Sequence, residues 1–121
     1  MLILLVSFSA FCQTKVAILP VIDKLDQVSY AHKLLLRSNI TTAIAMTDGY
    51  EGYDRIDLSS VMDEQDFQRK GLVSDSEIHK IGEMTGADYV VIAEAAKLDE
   101  GHLIATAKIV NVESAQIINS A

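Results

Sequence analysis

The sequence predicts an α/β sandwich with a mixed sheet, its elements in the order β-α-β-α-α-β-β-β. Three observations predict it. An unbroken apolar run, Lys15 to Ile22, precedes a long stretch with apolar residues at helical spacing. Two further helix signals follow, each with a capping side chain in front and a glycine behind. The last third alternates strand-forming runs with turn residues at hairpin intervals. Such an order gives three layers if helices cover both faces of the sheet, or two if they lie mostly on one.

Lys15-Val-Ala-Ile-Leu-Pro-Val-Ile22 has the composition of a strand covered on both faces, which makes it a central strand. Pro20 lacks an amide proton, so pairing should weaken there before Asp23 and Lys24 turn the chain. From Val28 to Met46 the residues Val28, Ala31, Leu35, Leu36, Ile40, Ala43 and Ile44 recur every three or four positions, one face of a helix that stops before Gly49. Tyr50 to Arg55 reads as a short strand. Asp57 is placed to cap a second helix running to Lys70, with Leu58, Val61, Met62 and Gln65 inward and Gly71 as its stop. Leu72 and Val73 then return to the core.

Ser74 with Glu77 three residues later is a capping box for a third helix, which buries Ile78 and Ile81 and ends at Gly86. Ala87 to Leu98 is a strand centred on Val90, Val91 and Ile92. The turn residues Asp99, Glu100 and Gly101 fold it back antiparallel onto Leu103 to Val112. A turn at Glu113, Ser114 and Ala115 brings Gln116 to Ala121 back as the last strand.

The 121 residues suffice for one core and not for two independent domains. Residues 1–13 read as an export signal: Leu2 to Cys12 is apolar and uncharged, too short to span a bilayer before Gln13, Thr14 and Lys15 interrupt it. Ser9 and Ala10 are small enough for a signal peptidase, although no Lys or Arg precedes the run. Cys12 is the candidate for lipid attachment, despite the bulky Phe11 in front of it. The folded domain, residues 14–121, then has no cysteine and depends on packing alone. Its net charge of −7 repels nucleic acid.

The residues offer little catalytic chemistry. Asp23 to Gln27, after the first strand, contains no glycine and so no phosphate cradle. His32, His79 and His102 fall on different elements, without a nucleophile motif. His79 and Glu83 stand one helical turn apart, two ligands short of a closed metal site. Asp54, Asp57, Asp63, Glu64 and Asp66 match no calcium loop; capping by Asp57, solvated Asp63 and Asp66, and a pair between Glu64 and Arg55 or Lys70 account for them. No cofactor or metal is expected. Arg55, at the end of a strand, could clamp carbonyls or a carboxylate, and with Tyr50, Tyr53 and Phe67 nearby it has the composition of a protein interface. Tyr53, Arg55 and Phe67 are therefore the candidate interaction or structural residues.

Five stretches together resemble a known family: Val16-Ala-Ile-Leu-Pro20, Gly49-Tyr-Glu-Gly-Tyr-Asp-Arg55, Glu64-Gln-Asp-Phe-Gln-Arg-Lys-Gly-Leu-Val73, Gly82-Glu-Met-Thr-Gly-Ala-Asp-Tyr-Val-Val91 and Ala107-Lys-Ile-Val-Asn-Val-Glu-Ser114. The chain is similar to the CsgG-like superfamily of curli production assembly and transport components. That group includes the lipoprotein activators of penicillin-binding proteins and is related to the N-terminal domain of the Tol translocation protein. The resemblance spans nearly all of residues 14–121. It implies a non-catalytic assembly or secretion accessory domain at the periplasmic face of the outer membrane, acting on an envelope protein. Regulation of a cell-wall synthase is the alternative it leaves open. A metal-dependent hydrolase would need His79 or His32 to meet two carboxylates in a pocket. The chain lacks the long alternating hairpins of the curli pore, so no pore is expected. Relatives usually continue past the last strand into a helix; either the chain is truncated here or a partner covers that edge, and an open edge implies self-association or strand addition by a partner.

Overall fold

In the computed structural model, which describes residues 13–71 and 73–121, the first apolar run supplies an interior strand of a five-stranded mixed sheet. The elements are β1 (Thr14–Ile18), α1 (Tyr30–Ala45), β2 (Tyr50–Tyr53), a 3₁₀ turn (Leu58–Ser60), α2 (Glu64–Lys70), α3 (Asp75–Thr85), β3 (Tyr89–Asp99), β4 (His102–Asn111) and β5 (Ile117–Ser120). The strand order is β2-β1-β3-β4-β5. β1 runs parallel to both β2 and β3, whereas β3, β4 and β5 form an antiparallel meander. Residues 1–12 of the export segment, Cys12 among them, lie outside the described residues, as does Leu72.

Strand alternation divides the apolar run between two cores. Ala17 and Leu19 join Leu58, Phe67, Ile78 and Ile81 beneath α2 and α3. Val16 and Ile18 point the other way, with Val91, onto Ile40 and Ile44 of α1. Helices therefore cover both faces, and of the two expected arrangements the three-layer one is found. β1 stops at Ile18, ahead of Pro20, as the missing amide requires. The run nevertheless stays beside β3: Leu19 N donates to Val91 O at 3.1 Å and Ile22 N to Ala93 O at 2.9 Å.

The first helix starts at Tyr30, not Val28. Ser29 caps it by accepting from His32 N at 3.1 Å, while Val28 N is taken by Asp23 Oδ2 at 2.7 Å. Its inward row is narrower than expected. Leu36, Ile40 and Ile44 pack on the sheet, but Ala31, Leu35 and Ala43 are exposed. Rows of i, i+4 residues suffice to seat one helix on so narrow a sheet. The close approach of α1 to β2 needs Gly52, where a Cβ would lie 2.8 Å from Thr41 O.

The single helix expected from Asp57 to Lys70 is broken in two. Asp57 caps the 3₁₀ turn, accepting from Ser59 N at 3.0 Å. Asp63, expected to be merely solvated, opens α2 by accepting from Gln65 N at 2.8 Å and Asp66 N at 3.0 Å. Asp63 takes the amides of Gln65 and Asp66 and the Ser59 hydroxyl donates to Asp57 Oδ1, local bonds of capping residues that place the break. The shifted phase exposes Gln65 and buries Phe67 in its place.

The later elements follow the sequence reading. Ser74 and Glu77 form a reciprocal capping box, and Gly86 ends α3 in the left-handed conformation. Val90 faces Val110 and Val91 faces Ile109 across the β3–β4 hairpin. β5 is a short outer strand, prolonged by two hydrogen bonds between Ala107 and Ala121 at 2.7 and 2.8 Å. Leu98, Leu103 and Ile104 on the hairpin, and Ile117 and Ile118 on β5, remain exposed.

Candidate functional site

The chain leaves β1 toward β2 by way of α1, then crosses to β3 by way of α2 and α3. Two helices on opposite faces thus diverge above the carboxyl end of β1, where parallel sheets form a crevice. A cleft of about 320 Å³ occupies this position. One wall is a stripe of α1 at three- and four-residue spacing: Tyr30, Lys33, Leu34 and Arg37. The facing wall is Glu64 and Phe67 of α2 with Ile56, above a floor of Pro20 and Val21. A more open hollow of about 450 Å³ adjoins it, sharing Lys33, Glu64 and Gln68 and adding Asp23, Lys24, Asp26, Gln65 and Arg69.

Hydrogen bonds fix the cleft's floor. Gln68 lies along the loop after β1, accepting from Asp23 N at 2.8 Å and donating through Nε2 to Val21 O at 3.0 Å. The Asp23 carboxylate is buried and accepts from Val28 N at 2.7 Å and Gln27 N at 3.1 Å, with Lys33 Nζ 3.9 Å away. α1, α2 and the loop are thereby tied together.

Arg37 holds the end of β1. Its Nε and Nη2 donate to Ile18 O at 3.0 and 2.6 Å. Burial lowers its pKa from the ordinary value, opposed by the charges of Asp54 and Glu64 and by Tyr30. Among the described residues no carboxylate lies within ion-pair distance of this guanidinium, whose other N–H groups make no hydrogen bond to protein. The charged side chains that line the cleft are two cations, Lys33 and Arg37, and one carboxylate, Glu64, with the buried Asp23 paired to Lys33 at 3.9 Å.

The three residues expected to mark an interaction surface are dispersed. Phe67 is 2% exposed, a core side chain that also backs the cleft. Tyr53 is half-buried at the end of β2, with Lys15 Nζ 4.3 Å from its ring centre. Arg55 is exposed, and among the described residues it makes no ion pair and no hydrogen bond through its side chain. The carbonyl clamp expected of Arg55 is provided by Arg37. The expected pair of Glu64 with Arg55 or Lys70 is not formed; Glu64 faces the cleft instead.

Nothing in the sequence reading selected Arg37. The signal was there in its stripe with Tyr30, Lys33 and Leu34, a second amphipathic row beside the sheet-facing one. The histidines remain apart: His79 Nε2 is 3.1 Å from Glu113 O and His102 pairs with Asp99, while His32 is exposed on α1. Among the described residues no three His, Cys, Asp or Glu side chains are grouped to hold a metal ion.

No family model and no curated protein matches the sequence. Solved structures do match the fold. The LpoB C-terminal domain from Escherichia coli superposes with a TM-score of 0.61 at 14% identity, covering 92% of this chain and 81% of that one. Lipoprotein GNA1162 from Neisseria meningitidis gives 0.59 at 13% identity, over 89% and 76%. The PelC dodecamer from Paraburkholderia phytofirmans gives 0.58 at 11% identity, over 90% and 69%. The fold is thus shared with these proteins, in agreement with the architecture that the sequence resemblance implies.

Proposed function

We propose that this chain is an exported, non-catalytic accessory domain of the bacterial envelope that works by binding protein, with the β2–α2 segment as part of its contact surface. One observation carries the reading: a fold shared over 92% of the chain with the LpoB C-terminal domain, and likewise with a lipoprotein and a dodecameric protein. Two features of this chain support it. Arg55 is exposed, two residues after the half-buried Tyr53, and these are residue types that anchor interfaces. Exposed Ile117 and Ile118 line the outer strand β5, where a further strand can pair. Periplasmic location, with retention through Cys12 or through a partner, belongs to the same proposal.

The test is the native mass of the full chain extracted from envelopes under mild conditions, read by light scattering after size exclusion. A stable species well above a single chain is expected. A monomer at every concentration, recovered from the cytoplasm, would contradict the proposal.

A further inference from the structure

The cleft above β1 has a property that fold maintenance leaves unused. Arg37 needs two N–H donors for Ile18 O, yet a guanidinium has five. The others sit at a partly desolvated position, without a carboxylate in ion-pair range among the described residues. Asp54 and Glu64 favour its charge from beyond ion-pair distance, so a carboxylate that reached the free N–H groups would be the first to pair with it directly. Lys33, one helical turn earlier, lines the same cleft, and its ion pair with the buried Asp23 is long, at 3.9 Å, that carboxylate also accepting from two amides. Beside these cations lies the apolar surface of Leu34, and across from them Ile56 and the carboxylate of Glu64.

We infer that this cleft binds the carboxyl-terminal end of a peptide chain. The terminal carboxylate would sit between Arg37 and Lys33, where planar bidentate pairing suits a guanidinium. An apolar last side chain would lie against Leu34 and Ile56. Glu64 is an acceptor for the peptide's own N–H, a feature that a phosphate or simple acid has no group to use. A volume of about 320 Å³ suits one or two residues and sits at the lower end of ligand-pocket sizes. The inference deepens the protein-binding reading by naming what one part of the partner presents, and it rests on that reading.

The experiment is an amide NMR titration of the full chain with acetyl-Leu-Leu carrying a free carboxylate, and in parallel with its carboxy-terminal amide, acetate and inorganic phosphate. Saturable shifts at Tyr30–Arg37, Val21 and Ile56 are expected for the free acid, with binding of the amide weaker by about tenfold or more, the effect of losing a charge-assisted pair. Acetate and phosphate should bind more weakly than the peptide. Leu34→Glu, at an exposed wall position away from the Ile18 clamp, should weaken acid binding by about tenfold while leaving the melting temperature unchanged. Equal binding of acid and amide, equal binding of acetate or phosphate, shifts elsewhere, or no saturation would each overturn the inference. A large native complex that persists with any of these results would leave the protein-binding reading intact, whereas its absence would remove that reading separately.

Discussion

Arg37 and Arg55 flank the same end of the sheet and are predicted to respond differently to truncation. Arg37→Leu removes both donors to Ile18 O and should cost about 1–3 kcal/mol, read from urea unfolding. Arg55→Ala removes an exposed side chain and should change stability by less than about 0.5 kcal/mol. Gly52→Ala pushes a Cβ to 2.8 Å from Thr41 O, a backbone atom that yields only if α1 moves, so a loss of about 1–3 kcal/mol is expected. Asp57 brings a pH dependence. The Ser59 hydroxyl and amide hold its carboxyl below the ordinary value of 3.8. A depressed carboxyl contributes stability that is full well above pH 3.8 and is lost as pH falls through the folded-state value. Wild type and Asp57→Asn should therefore converge in melting temperature as the pH is lowered through this range.

Among the elements, those with local causes were legible and those with distant causes were not. The α3 capping box is written in Ser74 and Glu77, and the β3–β4 hairpin in the turn residues between two β-rich runs. The break between the 3₁₀ turn and α2 was missed because Asp57 and Asp63 are both good caps and periodicity does not choose between one helix and two. Each cap can be measured. Ser74→Ala and Asp63→Ala should each cost about 1 kcal/mol, the former loosening amide exchange at the start of α3 and the latter at the start of α2. The inward row of α1 was overcounted because periodicity alone does not show how wide a face the sheet covers: Leu36, Ile40 and Ile44 pack on it, while Ala31, Leu35 and Ala43 are exposed.

For the whole molecule, the sequence carried the fold class and element order, because alternating patterns and punctuating glycines are local. It left the choice between two and three layers open, since that depends on which way each crossover passes the sheet. The cleft was illegible for a related reason. Its walls come from residues 20–37 and 56–68, which the topology brings together above β1. Tyr53 and Arg55 sit in one short segment, half-buried and exposed, while Phe67 is drawn inward by the broken helix. Export makes its own prediction: mass spectrometry of the mature chain should find it starting at Cys12 if lipidated, or at Gln13 or Thr14 if not. An intact Met1 would contradict export.

The most direct test of envelope protein binding is a photo-crosslinking residue placed in living cells at position 55 and, as a control, at position 83, an exposed site on α3. The account predicts a discrete adduct with an envelope protein, or with a second copy of the chain, from position 55 and not from position 83. No adduct from 55, or the same adducts from both positions, would contradict it.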